Sequence, residues 1–212
     1  KVLVTAGPTH EYIDPVRYIS NPSSGKMGYA IAKAAWYRGA EVTLVSGPVS
    51  IAKPEGIRVI DVVSAEQMYE ACIKEAPEMD VIIKAAAVGD FRAEEEMKQK
   101  LKRREGEPLT VTFVQNKDIA AELGRMKKEK QLLIGFAAET QDLIANAQKK
   151  MIAKNLDMIA CNDVLANGAG FASDTNTLMI MTKGGAEVEF SGTKDDVADS
   201  LLDAVIRKKN KE

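Results

Sequence analysis

The sequence predicts an α/β fold, namely a Rossmann-like domain in which helices cover both faces of a mostly parallel sheet. Short apolar runs that end in glycine or polar turns alternate along the chain with segments of helical periodicity. Strands that alternate with helices imply right-handed crossovers, which set the strands parallel to one another. Near the C-terminus two apolar segments flank Gly184-Gly185, and this pattern predicts a β-hairpin extension.

The individual elements follow from residue type and spacing. Aliphatic and β-branched runs predict the strands, and apolar residues spaced three and four apart predict the helices. Ser64 is a candidate helix cap and Gly39 a helix stop. We expect residues 1–212 to form one domain. The predicted strands are 2–6, 41–45, 57–62, 81–86, 109–114, 132–137, 158–161, 177–182 and 186–190, and the helices 27–38, 65–75, from about 118, 142–154 and 195–207.

Composition excludes several classes of protein. The 212 residues include 29 basic and 31 acidic side chains, and a net charge of −2 gives no general attraction to nucleic acid or an anionic membrane. No apolar run is long enough to span a bilayer. Cys72 and Cys161 form no metal-binding or disulfide pattern, and His10 is the single histidine, which argues against zinc and Ser-His-Asp sites. We therefore expect a cytoplasmic protein with no nucleic-acid or membrane partner.

Polar segments follow the predicted strands where ligands bind in open parallel sheets, beyond the carboxyl ends of the strands. The alternative is that these are the ordinary polar loops of an α/β protein. The segments are TAGPTHEYIDPVRYISNPSSGKMG, AAVGDFR, QNKD, GFAAET and NDV.

The segment RYISNPSSGKMG has phosphate-binding residue types but matches neither common phosphate motif. Lys26 is followed by Met27 rather than Ser or Thr, and no GxGxxG follows the first strand. Ser23 to Gly28 open a helix, so free N–H groups and the helix dipole favour an anion there. The equal alternative is a serine cap with close helix packing. Arg17 and Asn21 either join this pocket or lie in a solvated loop.

Other charged groups also have two interpretations each. The run from Lys98 to Arg104 has five cations in seven residues, and it is either a solvated surface or a mobile loop that closes over a triphosphate. Lys150 and Lys154 are four residues apart and so share a helix face. They are either phosphate ligands or ordinary surface lysines. The helix start at 116–118 either takes a phosphate or is simply capped. Glu11 and Asp14 either help to hold magnesium or cap local turns.

Taken together, these motifs resemble phosphopantothenate–cysteine ligase (phosphopantothenoylcysteine synthetase), the ligase of coenzyme A biosynthesis. The resemblance covers nearly the whole chain, and its first block is the most specific. In many prokaryotes this ligase is the C-terminal half of a bifunctional protein that also contains a flavin-dependent decarboxylase. The matching blocks, in family order, are VTAGPTHEYIDPVRYISNPSSGKMG, RGAEVTLVSGP, AAVGDFR, KLKR, QNKDI, GFAAET, KNLDMIACNDV and GFASDTN.

The resemblance implies a two-step ligation with Mg²⁺. The carboxylate of 4′-phosphopantothenate attacks the α-phosphate of CTP, which releases pyrophosphate and leaves an acyl-cytidylate. The amine of L-cysteine then attacks this anhydride and gives 4′-phosphopantothenoyl-cysteine and CMP. Such chemistry needs positioning and charge stabilisation more than a protein nucleophile. The family asparagine that holds the substrate carboxyl in both steps matches Asn21, and the lysine of the mobile loop matches Lys100.

The resemblance also implies the remaining site residues, although it assigns no metal ligand. The phosphopantothenate pocket matches Arg17, Ser23, Ser24 and Gly25. The nucleotide site, including a contact from Asp90 to the cytosine amino group, matches Lys84, Ala85, Ala86, Asp90, Lys100, Lys117, Asp118, Ile119, Ala120, Phe136, Lys150 and Lys154.

Two other functions compete with the ligase. An NAD(P)-dependent Rossmann oxidoreductase predicts a glycine fingerprint after the first strand, and this fingerprint is missing from the sequence. A non-catalytic nucleotide-binding module predicts binding without pyrophosphate release. The resemblance further implies a homodimer, to which the C-terminal hairpin is a candidate contributor, and a decarboxylase partner that is fused or associated. Use of CTP rather than ATP is typical of the prokaryotic relatives.

Overall fold

A computed structural model describes residues 1–102, 106–139, 143–163, 174–183 and 187–210. No helix in those ranges has both the length and the apolar character needed to cross a bilayer. In chain order the elements are β1 Val2–Ala6, β2 Glu11–Asp14, β3 Arg17–Ile19, α1 Lys26–Tyr37, β4 Val42–Ser46, β5 Arg58–Asp61, α2 Ala65–Glu75, β6 Val81–Lys84, β7 Phe91–Ala93, β8 Phe113–Gln115, α3 Ile119–Met126, β9 Leu132–Glu139, α4 Leu143–Ala153, β10 Met158–Asp163, β11 Thr175–Thr182, β12 Glu187–Thr193 and α5 Lys194–Lys209.

The main sheet has eight strands in the order β12-β11-β10-β9-β6-β1-β4-β5. The strands from β10 to β5 are parallel, whereas β11 and β12 are antiparallel. This topology confirms the predicted α/β fold, and β11 and β12 are the expected hairpin. The turn at Gly184-Gly185 lies outside the described residues.

Helices pack on both faces of the sheet, as the alternating side chains of β1 require. Val4 points into a core shared with α1 and α5, and Leu3 points into a core shared with α2, α3 and α4. Both side chains are fully buried. A strand buried on both faces needs a continuous aliphatic run, and this is the pattern that predicted β1.

The predicted strand at 109–114 is wrong as a member of the main sheet. The strand there is β8, which pairs antiparallel with β7 in a separate two-stranded ribbon. Leu109 is 60% exposed and Phe113 40% exposed. The alternation of apolar residues with threonine in this segment therefore marks a surface segment rather than a core strand. A further two-stranded hairpin, β2–β3, did not follow from the sequence, because its strands are short and polar.

The strand order places a binding crevice between β1 and β6. After β1 the chain continues to β4 and β5 on one side of it, and then returns to form β6 on the other side. Adjacent connections therefore leave in opposite directions at the carboxyl ends of β1 and β6. Open α/β sheets bind their ligands at such a switch point.

An ion pair joins the end of α3 to the start of β10 below the crevice. The Lys127 Nζ lies 2.7 and 2.8 Å from the two carboxylate oxygens of Asp157, which also accepts a 2.8 Å hydrogen bond from the Leu133 N–H. Both charged side chains are about nine-tenths buried. Removal of either partner leaves an uncompensated charge in the interior.

We therefore expect Asp157→Ala to lower the free energy of unfolding by about 3–5 kcal/mol. The matched control is Asp61→Ala, which breaks an exposed pair with Lys53 and should cost less than about 1 kcal/mol. Urea unfolding of both variants measures the difference. Equal losses of stability would contradict the buried-pair interpretation.

Candidate active site

Two adjoining cavities form one crevice at the carboxyl ends of β1, β6 and β9. The first has a volume of about 430 Å³ and is bordered by the loop from Asn21 to Gly28 and by Lys194. The second has a volume of about 540 Å³ and is bordered by Lys84 and the start of α3. The residues that line both cavities, and so join them, are Ala86, Val88, Asp90, Phe136 and Lys150.

The N-terminus of α1 opens onto the first cavity without a side-chain cap. Gly25 occupies the cap position with φ of +76°, a conformation that glycine adopts without strain, and the first turn carries no acidic residue. The Ser23 hydroxyl accepts a hydrogen bond from the Gly25 N–H, at 3.3 Å. The serine-cap interpretation is therefore wrong, and the geometry suits an anion, because helix N-termini carry free N–H groups and partial positive charge.

Gly28 lets α1 approach β1 closely at the base of this cavity. A Cβ at this position would lie 2.5 Å from the Ala6 Cβ and 2.9 Å from the Thr5 carbonyl oxygen. Such distances are far shorter than van der Waals contact, so a side chain would push the helix away from the strand.

The sign of the Gly28→Ala effect tests this contact. Helix propensity alone predicts that alanine stabilises the protein by about 1 kcal/mol. The close approach instead predicts a loss of about 1–3 kcal/mol in the free energy of unfolding, which urea denaturation measures. A stabilised variant would show that α1 is not packed against β1 in this way.

Asparagine side chains hold the loop between β6 and β7 from two sides. The Asn21 Nδ2 donates to the Val88 carbonyl at 3.0 Å, and the Asn116 Nδ2 donates to the Gly89 carbonyl at 2.8 Å. From below, the Gly89 N–H donates to the buried Thr9 hydroxyl at 2.9 Å. These bonds fix the loop that carries Asp90, so the amide of Asn21 and the carboxylate of Asp90 border the same crevice in a set arrangement.

Three charged side chains meet in the second cavity. The Lys154 Nζ lies 2.9 Å from the Asp118 carboxylate, whose other oxygen caps α3 by accepting from the Ala121 N–H at 3.0 Å. Burial lowers the pKa of Lys84, and the nearby Lys154 charge adds to this effect, whereas Cys72 and Asp118 oppose it. With Lys150 on the shared wall, the cavity carries more positive than negative charge. An anionic ligand would balance it.

Asp118 remains a carboxylate in this environment. Burial raises its pKa, but hydrogen bonds from Lys154 and the Ala121 N–H, with the charges of Lys154 and Lys84, lower it overall. Lys117 also borders the second cavity, but its ammonium pairs with Glu66 at 2.6 Å and lies over the Tyr69 ring. The cations that border this cavity thus include Lys84, Lys117, Lys150 and Lys154, of which Lys117 and Lys154 each pair with a carboxylate.

The structure brings most of the predicted residues into the crevice. Asn21, Ser23, Ser24, Gly25 and Ala85 line the first cavity, and Lys84, Lys117, Asp118, Ile119, Ala120 and Lys154 line the second. Arg17 and Lys100 line neither cavity. The guanidinium of Arg17 is bound to Asp14 and to the Leu101 carbonyl, and the side chain of Lys100 is exposed.

The carboxylates of Glu11 and Asp14 serve backbone N–H groups. Glu11 accepts from the Ala65 N–H at the start of α2, and Asp14 accepts from the N–H groups of Val16 and Arg17. Within the described ranges no three metal-ligating side chains come together. Magnesium bound through substrate phosphates needs only one or two protein carboxylates, and the carboxylates that border the cavities are those of Asp90 and Asp118.

Two polar groups of the first cavity, Asn176 and Lys194, were not predicted as site residues, and Lys26 was predicted only as part of the helix start from Ser23 to Gly28. Lys26 pairs with Asp174 at 2.5 Å. Burial lowers the pKa of Lys194, as does the Lys26 charge, while Asp174 acts against both. Lys194 opens α5 after the Thr193 cap, and its sequence context carried no binding signal.

Comparisons with known proteins agree with this geometry. The family model for the DNA/pantothenate metabolism flavoprotein C-terminal domain matches residues 1–208. The coenzyme A biosynthesis bifunctional protein CoaBC of Bacillus subtilis is 48% identical over 206 residues, which are 96% of this chain and 50% of that protein. CoaBC of Vibrio cholerae is 46% identical over 203 residues, 95% of this chain and 51% of that protein.

The same likeness holds in three dimensions. The crystal structure of the C-terminal domain of a CoaBC has a TM-score of 0.84 at 42% identity, and the match covers 100% of this chain and 98% of that one. The chain thus spans about half the length of the curated relatives it matches. The resemblance stated from the motifs is confirmed: the chain belongs to the family of DNA/pantothenate metabolism flavoprotein C-terminal domains.

Proposed function

We propose that this chain is a phosphopantothenate–cysteine ligase, which joins 4′-phosphopantothenate to L-cysteine at the expense of CTP. One observation carries the proposal: a crevice at the switch point has three lysines at one end and the Asn21 amide at the other. The relatives are named for coenzyme A biosynthesis. We further propose that residues 1–212 form a single ligase domain.

In the first step the carboxylate oxygen of 4′-phosphopantothenate attacks the α-phosphorus of CTP, and the bond to pyrophosphate breaks. Charge on the triphosphate is stabilised by Lys84, Lys150 and Lys154 and by the N-terminus of α3. Mg²⁺, when bound, would neutralise phosphate charge, with Asp118 as a candidate protein ligand. Lys100 supplies a further cation from the segment beside the crevice.

In the second step the amine of L-cysteine attacks the acyl carbon of the acyl-cytidylate. The carbon–oxygen bond breaks, CMP leaves, and the amine loses a proton as the amide forms. Asn21 is placed to donate a hydrogen bond to the acyl oxygen as negative charge develops there. Ser23, Ser24, Gly25 and the N-terminus of α1 hold the substrate.

Recognition of the cytosine amino group rests on Asp90 in this proposal. Its backbone is fixed, because its carbonyl accepts from the Asn116 N–H at 2.8 Å. From this backbone position its carboxylate accepts a hydrogen bond from the exocyclic amino group of cytosine. Phe136 presents an apolar surface between the cavities.

We also propose a homodimer, together with a flavin-dependent decarboxylase that is fused or associated. Large apolar side chains are exposed on the β2–β3 hairpin and in the segment from β7 to β8. The described part of the C-terminal hairpin exposes only Val188 among such side chains, so the first two elements are favoured as the contact. Light scattering after size-exclusion chromatography measures the mass, which should be twice that of the chain. The exposed side chains are Val16, Tyr18, Phe91, Met97, Leu109 and Phe113.

The function is tested by pyrophosphate release from 4′-phosphopantothenate with Mg²⁺ and CTP or ATP, with and without L-cysteine. A ligase gives continuous release only when cysteine is present, and CTP specificity gives faster release with CTP. A non-catalytic nucleotide-binding module would bind CTP without releasing pyrophosphate. An oxidoreductase would bind NAD(P) and would release no pyrophosphate.

A further inference from the structure

The segment that carries Lys100 is attached to the β2–β3 hairpin at two points. The Met97 N–H donates to the Ile13 carbonyl at 2.9 Å, and the Leu101 N–H donates to the Asp14 carboxylate at 3.1 Å. The side chains between these points are exposed, Lys100 among them. The position of Lys100 is therefore set by attachments at its neighbours.

The two oxygens of Asp14 have separate tasks. Oδ1 accepts from the N–H groups of Val16 and Arg17, at 2.8 and 2.9 Å, and thereby shapes the hairpin turn. Oδ2 accepts from the Arg17 guanidinium at 2.7 Å and from the Leu101 N–H. The hairpin alone needs only the first set, whereas the second reaches a residue 87 positions away.

Arg17 holds the same peptide from its other side. Its Nη1 and Nη2 each lie 3.2 Å from the Leu101 carbonyl oxygen. Asp14 thus binds one polar group of Leu101 and Arg17 binds the other, and the two side chains are themselves an ion pair. The Asp14 side chain is completely buried. Burial acts to raise the pKa of Asp14, but its backbone hydrogen bonds and the Arg17 charge lower that pKa overall.

We propose that Asp14 and Arg17 are positioning residues: by holding Leu101 they anchor the exposed segment from which Lys100, which lines neither cavity, reaches the nucleotide for pyrophosphate release. This inference rests on the proposed ligase function and on the role of Lys100 in its first step. A cation that stabilises a transition state must be correctly placed, and an error of about 1 Å can cost about 100-fold in rate.

Asp14→Asn separates the two tasks of Asp14 with almost no change of shape. The asparagine Oδ1 still serves the turn, but its Nδ2 sets N–H groups against the N–H groups of Leu101 and Arg17. The single-turnover rate of pyrophosphate release should fall by about 10- to 100-fold. The Kd for CTP should change by less than about 2-fold, because Asp14 lines neither cavity.

Asp203→Asn is the matched control. It removes the same charge from another Asp–Arg pair, in which the Arg38 guanidinium lies 2.6 Å from Asp203 on the α1–α5 surface. Its rate should equal that of the unmodified chain. An equal loss in both variants would overturn the positioning role.

A double variant tests whether Asp14 acts through Lys100. If it does, Asp14→Asn combined with Lys100→Gln should release pyrophosphate no more slowly than Lys100→Gln alone. If Asp14 merely supports the fold, the two losses should multiply. Multiplied losses would overturn the proposal.

Hydrogen exchange tests the hydrogen bonds that join Asp14 and Arg17 to Leu101 without reference to activity. In Asp14→Asn the Leu101 amide should exchange faster, while the Val16 and Arg17 amides stay protected. Faster exchange at Leu101 with an unchanged rate would overturn the positioning role and leave the ligase proposal standing. Normal pyrophosphate release by Lys100→Gln would remove the role of Lys100 and the inference with it.

Arg17→Lys tests the other side of this hold on Leu101, and it serves if Asp14→Asn fails to fold. Lysine keeps the charge beside Asp14 but cannot donate two N–H groups to the Leu101 carbonyl. Its pyrophosphate release should also fall, and the loss should vanish in the Lys100→Gln background. A loss that persists in that background would overturn the inference.

Discussion

Lys100→Gln is expected to lower the rate of pyrophosphate release by about 100-fold or more, because it removes a cation that meets developing charge on the triphosphate. The substitution keeps much of the side-chain length, and Lys100 is exposed, so the free energy of unfolding should be unchanged. Rapid-quench measurement of pyrophosphate in a single turnover gives the rate directly.

Lys98→Gln is the matched control for this variant. Lys98 lies in the same exposed segment, between the attachments at Met97 and Leu101, and carries the same charge. Its rate should stay within about 3-fold of the unmodified chain, as for a solvated surface cation. Equal losses of rate in both variants would indicate that the positive charge of the whole segment matters, and they would contradict a specific role for Lys100.

Asn21→Asp is expected to divide the two steps of the reaction. In the unmodified chain the Asn21 amide donates a hydrogen bond to the Val88 carbonyl at 3.0 Å and borders the first cavity. A carboxylate has no N–H to donate and carries negative charge, so it opposes the charge that develops on the acyl oxygen when the amine attacks. Steady turnover with cysteine should fall by about 100-fold or more.

The first step should survive this substitution, because its charge develops on phosphoryl oxygens near Lys84, Lys150 and Lys154. Asn21→Asp should therefore release about one equivalent of pyrophosphate in a burst and accumulate the acyl-cytidylate, which mass spectrometry of the quenched mixture detects. Normal turnover with cysteine would contradict the role of Asn21. A variant without a burst would show that Asn21 acts before nucleotidyl transfer.

The main sheet was predictable because its strands are buried on both faces. Most residues of β1 and β6 are aliphatic and their side chains fill the two cores, so local composition and tertiary environment agree. The segment at 109–114 also carries apolar residues with strand spacing but lies on the surface. Periodicity alone does not distinguish a core strand from a ribbon exposed on one face.

The β2–β3 hairpin shows the opposite difficulty. Glu11 and Asp14 are buried carboxylates, which strand prediction from apolar residues discounts. They are satisfied by N–H groups of Ala65 and Leu101, and both contacts join distant parts of the chain. Local sequence does not reveal such partners.

The candidate site was predictable to the extent that loops follow strands. Asn21 and Asp90 lie in the connections that follow β1 and β6, so the topology brings them to one edge of the sheet. Lys194 reaches the first cavity only because the hairpin β11–β12 turns the chain back toward α1. The placement of Arg17 beside Leu101 likewise depends on a contact between segments 84 positions apart.

The central claim is that the substrate carboxylate becomes bonded to the nucleotide before cysteine reacts. It is tested most directly with 4′-phosphopantothenate labelled with ¹⁸O in both carboxylate oxygens, in the presence of CTP, Mg²⁺ and L-cysteine. An acyl-cytidylate transfers one labelled oxygen to CMP and keeps the other in the amide. Mass spectrometry should therefore find one ¹⁸O in CMP and none in pyrophosphate. CMP without label, or label in inorganic phosphate or pyrophosphate, would contradict the account.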